Sequence, residues 1–102
     1  MLDHILIVDD EKGILQSLSS ILQDEGYDIS TAENGADALK LAKEDTPLLV
    51  LLDIWLPDID GIEVLRRIKE QMPEIIIIMM SGHGTIETAV KATKLGAYDF
   101  IE

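Results

Sequence analysis

Three short apolar runs constrain the fold of this chain more than any other feature: His4 to Val8 (HILIV), Leu48 to Leu52 (LLVLL) and Ile75 to Met79 (IIIIM). Each is about five residues long and almost unbroken by polar residues, the pattern of a strand covered on both faces. Between them lie amphipathic stretches. Glu11 to Glu25 places Ile14, Leu15, Leu18, Ile21 and Leu22 on one helical face and is stopped by Gly26. Asp28 to Ala32 (DISTA) is a more polar strand, as expected of a sheet edge. Asn34 can cap a second helix, Gly35 to Glu44, that buries Ala38, Leu39 and Ala42. Asp60 and Glu63 form a plausible capping pair for a third helix reaching about Gln71, which Pro73 ends. Thr85 caps a fourth helix ending at Gly96, and Ala97 to Ile101 is a fifth strand.

Five strands separated by four helices imply parallel strands joined by right-handed crossovers. The expected fold is α/β, a doubly wound parallel five-stranded sheet of order 2-1-3-4-5 with helices on both faces. A chain of 102 residues suits one such domain.

In open parallel sheets, ligands bind beyond the carboxyl ends of the strands where the strand order reverses. Here that point lies between the first and third strands, whose carboxyl ends carry Asp9, Asp10 and Asp53. Carboxylates brought together there repel one another, which either raises a pKa or calls for a cation. Hard divalent ions such as Mg²⁺ take oxygen ligands, commonly one or two carboxylates with waters and phosphate oxygens. A carboxylate beside such an ion can also act as a nucleophile in phosphoryl transfer. Asp53, alone at the centre of the sheet edge, is the best candidate. Ser81, after the fourth strand, can donate a hydroxyl hydrogen bond to a phosphoryl oxygen, and Gly82 leaves room for an incoming donor.

Charge narrows the partners. With 20 acidic and 8 basic residues the formal charge is -12, which argues against direct binding of nucleic acid or of an anionic membrane. There is no cysteine, so no thiolate chemistry. No signal peptide or bilayer-spanning run is present, and a soluble cytoplasmic domain is expected.

The stretches LIVDDE (Leu6 to Glu11), LLDIWLPDIDG (Leu51 to Gly61), MMSGHG (Met79 to Gly84) and GAYDFIE (Gly96 to Glu102) resemble the receiver domain of two-component response regulators. The segment SGHGTIETAVKATKLGAYDFIE is most similar to receivers of the NtrC type, which regulate sigma-54-dependent transcription. The resemblance implies a flavodoxin-like receiver fold and a phosphorylation-dependent switch controlling transcription, not an enzyme beyond assisting its own phosphorylation and dephosphorylation. It implies that Asp53 is the phosphoacceptor, and that Asp9, Asp10, Asp53 and the Trp55 backbone carbonyl hold Mg²⁺. Ser81 would reorient toward the phosphoryl group and Phe100 would be the switch aromatic. The phosphodonor would be a histidine on a sensor kinase, and the face of helix four and strand five would change. The family follows its fifth strand with a lysine and a fifth helix, while this chain ends at Glu102. The expectation is a receiver domain over residues 1–102, C-terminally truncated, with weakened switching. Such a chain would either be poorly stable or cover its exposed apolar sheet surface as a homodimer or a swapped oligomer.

Other assignments are less specific. Asp58 and Asp60 read as turn and capping residues, Trp55 as an exposed loop side chain, and His83 as a loop residue without metal-binding partners. His4 reads as a strand-start residue, Met79 and Met80 as packing, and Lys91 and Lys94 as solvated charges. A Mg²⁺-dependent aspartyl phosphatase is disfavoured, because such enzymes place an acid-base aspartate two residues after the nucleophile, where this chain has Trp55. A phosphate-independent interaction module is the remaining alternative. A nucleotide-binding domain lacks its glycine-rich loop after the first strand.

Overall fold

The computed structural model describes residues 3–82 and 85–101. His83 lies outside them, and its expected loop role with it. The elements in chain order are β1 (His4–Val8), α1 (Lys12–Asp24), β2 (Asp28–Ala32), α2 (Gly35–Asp45), β3 (Leu49–Asp53), α3 (Gly61–Gln71), β4 (Ile76–Met80), α4 (Ile86–Lys94) and β5 (Asp99–Ile101). The strands form one sheet of order β2-β1-β3-β4-β5, every neighbouring pair parallel. This is the expected topology, with the polar strand β2 at an edge.

The apolar runs fill the core as their pattern requires. Leu6, Val8, Val50, Leu52, Ile77 and Met79 are essentially inaccessible to solvent. Alternate residues of the strands point to opposite faces, and the two faces are covered unequally. On one face, α2, α3 and α4 bury Ala38, Ala42, Val64, Leu65, Ile68 and Ala92 against the sheet. On the other, Leu15, Leu18 and Leu22 of α1 pack on Ile5, Ile7 and Ile29.

That imbalance corrects one expectation. Of the five apolar residues of the α1 stripe, only Leu15 is buried, while Ile14 and Ile21 are exposed. Among the described residues α1 is the one helix on its face and covers mainly the β1 and β2 side, so two of the five stripe residues are left exposed. Leu49, Leu51, Ile76 and Ile78 on the same sheet face stay half-buried.

Several helix ends follow local chemistry. Asn34 Oδ1 accepts from the Asp37 N–H at 2.8 Å, and Thr85 Oγ1 accepts from Thr88 N–H at 3.2 Å. Gly26, just past α1, has φ of 96°, a left-handed conformation that glycine adopts without steric cost. Asp60 caps α3 by accepting from the Ile62 N–H at 2.8 Å. Glu63 does not complete the expected capping pair. Its carboxylate instead accepts hydrogen bonds from Arg66 and Arg67, which hold it well below the usual carboxylate range, at about 2. Two arginines within one turn are stronger donors to a carboxylate than a single backbone amide.

His4 does more than begin a strand. Its Nδ1 lies 3.1 Å from Asp28 Oδ2 and its Nε2 lies 3.0 Å from Ser30 Oγ. The ring thereby ties edge strand β2 to its neighbour through side chains as well as through the backbone ladder.

Candidate functional site

The site forms where the carboxyl ends of β1 and β3 meet. The ladder pairs Val8 with Leu52, so the residues that follow each strand emerge side by side. Beyond that pair, Asp9, Asp10 and Asp53 each offer a carboxylate oxygen, and these atoms lie within 4.8 Å of one another. Asp9 is buried, Asp53 half-buried and Asp10 exposed. The backbone is fixed around them. Asp9 N–H donates to Ala32 O at 3.1 Å, and Ile54 N–H donates to Met80 O at 3.2 Å. Asp9 Oδ1 in turn accepts from the Glu11 N–H at 2.9 Å, which ties the carboxylate to the start of α1.

Electrostatics at the site follow from this crowding. Burial pushes the Asp53 carboxyl up to about 6, the charge of Asp9 adds to the rise, and the N–H of Trp55 opposes it. Burial also raises Asp9, against the hydrogen bond from Glu11 and with the repulsion of Asp10. Two carboxyls held above their ordinary range by desolvation and like charge are a donor set short of positive charge. Three carboxylates at this separation supply the hard oxygen donors that a divalent cation such as Mg²⁺ prefers, so the residues present fit such an ion.

The carboxylates line an open recess of about 480 Å³ together with Trp55, Met80, Ser81 and Gly82. Ser81 is buried and continues β4 toward the site, its N–H donating to Ile101 O at 3.0 Å. Among the described residues a Cβ at Gly82 would meet no atom within 4 Å, and Gly82 lines the recess. The Trp55 side chain is 59 % exposed, as expected of a loop residue. Phe100 is half-buried and packs at the edge of the core, paired in the ladder with Met79. It does not line the recess. A second recess of about 450 Å³ lies between α1 and the start of α2, but its charges are of mixed sign, with Lys12 4.0 Å from Glu33. Chemistry rather than size singles out the acidic site.

Two contributors escape a reading of the sequence. A Cβ on Gly61 would lie 2.2 Å from the carbonyl oxygen of Asp53 and 2.7 Å from Ile54 Cα. Only glycine lets α3 begin so close to the end of β3, and that contact sets where Asp53 stands. Asp58, read as a local turn and capping residue, caps a distant helix. Its two carboxylate oxygens accept from the N–H groups of Gly35 at 2.8 Å and Ala36 at 3.0 Å. Those bonds hold its carboxyl below the ordinary range.

The sequence matches the family profile described as "Response regulator receiver domain" over residues 5–102. It is 51 % identical over 104 residues to the nitrogen assimilation regulatory protein NtrX of Azorhizobium caulinodans, covering 100 % of this chain and 23 % of that protein. The crystal structure of NtrX from Brucella abortus superposes with a TM-score of 0.91 at 49 % identity, covering 100 % of this chain and 23 % of the other. The solution structure of the beryllofluoride-activated NtrC4 receiver domain dimer gives a TM-score of 0.91 at 46 % identity, covering 97 % of this chain and 82 % of the other. The chain spans about a fifth of the length of the curated relatives it matches. Among the described residues no helix is long and apolar enough to cross a membrane.

Proposed function

The chain belongs to the response regulator receiver domain family, with similarity to regulators of the NtrX and NtrC type, and on that premise we propose that it is a switch operated by phosphorylation of Asp53. The observation that carries this reading is the convergence of Asp9, Asp10 and Asp53 within 4.8 Å at the reversal point of the sheet, with Ser81 at the end of the adjacent strand.

The phosphodonor is a phosphohistidine on a sensor histidine kinase. An Asp53 carboxylate oxygen forms the new P–O bond as the P–N bond to the kinase imidazole breaks. The departing nitrogen keeps the bonding pair and takes up a proton. Asp53 must be ionised to attack, and Asp9 and Asp10 beside it oppose that ionisation unless positive charge is supplied. Asp9, Asp10, Asp53 and the Trp55 carbonyl are the groups that would hold Mg²⁺. When bound, the ion neutralises the carboxylates and the phosphoryl oxygens. The Ser81 hydroxyl donates to a phosphoryl oxygen of the acylphosphate, and Phe100, next to the core, follows its movement.

The readout is the face of α4 and β5. Ile86 (85 %) and Val90 (48 %) of α4 are exposed, and so is Tyr98 (76 %) just before β5. Phosphorylation shifts a pre-existing equilibrium of this face. A homodimer is part of the proposal, supported by the dimer of the beryllofluoride-activated NtrC4 receiver domain. In the longer cytoplasmic protein of which such receivers form part, the switched output is transcription.

The test is the intact mass of the chain after incubation with Mg²⁺ and a small-molecule phosphodonor, with Asp53→Asn as control. One labile phosphoryl adduct that the control lacks is expected. A folded chain that takes no phosphate would leave a phosphate-independent interaction module as the better account.

A further inference from the structure

The loop between β3 and α3, residues 54–60, carries Trp55 along the wall of the acidic recess. Its two ends are fixed by its own neighbours. Ile54 N–H donates to Met80 O at 3.2 Å, and Gly61 N–H donates to Ile54 O at 2.9 Å. Its middle is fixed by a different element. The Asp58 carboxylate straddles the first two N–H groups of α2, at 2.8 Å and 3.0 Å. Helix N-termini present unpaired N–H groups and a positive dipole end, so a carboxylate docks there through charge-assisted bonds. The seat is close-packed as well. A Cβ on Gly35 would lie 2.9 Å from Ile59 Cβ and 3.0 Å from Val64 Cγ2, so loop and helix meet with no room for a side chain between them.

α2 already has a cap. Asn34 accepts from the Asp37 N–H at 2.8 Å, one residue beyond the two that Asp58 engages. The helix therefore gains a second cap from 23 residues away, and what that bond adds is the position of the loop. We infer that Asp58 is a positioning residue of the acidic site: docked on the N-terminus of α2, it holds the β3–α3 loop so that the Trp55 backbone stays at the wall of the recess beside Asp53. This rests on the reading of Asp9, Asp10 and Asp53 as a cation pocket.

The experiment measures the dissociation constant for Mg²⁺ alone, from the fluorescence of Trp55, for the native chain and for Asp58→Ala, Asp58→Asn and Asn34→Ala. Trp55 is the single tryptophan. Asp58→Ala is expected to weaken Mg²⁺ by about tenfold, the lower end of losses for groups that orient metal ligands. Asp58→Asn keeps one accepting oxygen and falls between. Asn34→Ala removes the other cap of the same helix and keeps native affinity, which separates loop position from helix stability. Equal weakening by Asn34→Ala, or native affinity in Asp58→Ala, overturns the inference. Hydrogen exchange of the amides of residues 54–61 provides the second arm. Faster exchange there in Asp58→Ala than in Asn34→Ala is expected, and equal exchange overturns the inference. A native chain that binds no Mg²⁺ would sink the cation reading alone, because the exchange arm decides the tether without it.

Discussion

Replacing Gly61 with alanine puts a methyl group 2.2 Å from the carbonyl oxygen of Asp53, where ordinary contact begins near 3.4 Å. The deficit is about 1.2 Å, and every atom met is backbone: the carbonyl carbon of Asp53 is 3.0 Å away and Ile54 Cα 2.7 Å. No side-chain rotation relieves it. Either α3 moves off β3, which stretches the 2.9 Å bond from Gly61 N–H to Ile54 O, or the end of β3 moves and takes Asp53 with it. Overpacking of this kind costs about 1–3 kcal/mol, and a weakened backbone bond adds about 1 kcal/mol. A total of about 3 kcal/mol is a large share of the roughly 5–15 kcal/mol that holds a domain together. With a urea slope of about 1.5 kcal/mol/M, the unfolding midpoint should fall by about 2 M. Asp53 should also take phosphate more slowly, since its carboxylate leaves the position shared with Asp9 and Asp10. For stability, Gly82→Ala is the matched control, because among the described residues its Cβ meets nothing within 4 Å, and it should stay within about 0.5 kcal/mol of the native chain. If Gly61→Ala unfolds at the native midpoint and labels at the native rate, the backbone contact does not set the position of Asp53.

Two further perturbations probe charge and backbone strain. The folded Asp53 carboxyl is pushed up to about 6, above the roughly 3.9 of an unfolded aspartate, so the native state holds its proton more tightly. Stability should therefore fall as pH rises from about 4 to about 6 and then level off, by an amount that solvent screening of a half-exposed group keeps modest. Asp53→Asn should melt above the native chain at pH 7.5 without divalent ions and approach it at pH 4, and Mg²⁺ should raise the native melting temperature more at pH 7.5 than at pH 5. A gap between the two chains that does not change with pH would contradict this account. Thr46, past the end of α2, has φ of 29°, a left-handed conformation that costs a residue with a Cβ about 1–2 kcal/mol. Thr46→Gly should raise stability by about 0.5 kcal/mol after the greater chain entropy of glycine is subtracted, and a lower urea midpoint would refute it.

How much of this was legible in the sequence follows from the range of each interaction. The strands could be read because burial on both faces of a sheet requires apolar runs of about five residues, and β2 declared itself an edge by its polarity. The caps Asn34 and Thr85 could be read because a cap and its N–H partner are three residues apart. Strand order then brought Asp9, Asp10 and Asp53 to one place, because consecutive parallel strands and right-handed crossovers leave few topologies. Glu63 was misjudged because two arginines in the next turn outbid a backbone amide, a competition that spacing alone does not resolve.

What the sequence by itself determined, then, is the element order, the sheet topology and the identity of the acidic residues, since each rests on local periodicity or on chain-order rules. The tertiary structure alone decided how those residues are held. Nothing near Asp58 announces that its partners are the amides of Gly35 and Ala36, and nothing near Gly61 announces that a methyl group would strike the Asp53 carbonyl. It also decided that Ile14 and Ile21 of the α1 stripe stay exposed, because a helix buries only what the surface beneath it meets. Patterns in sequence specify which side chains seek burial or charge; only the packed backbone specifies which distant atom they find.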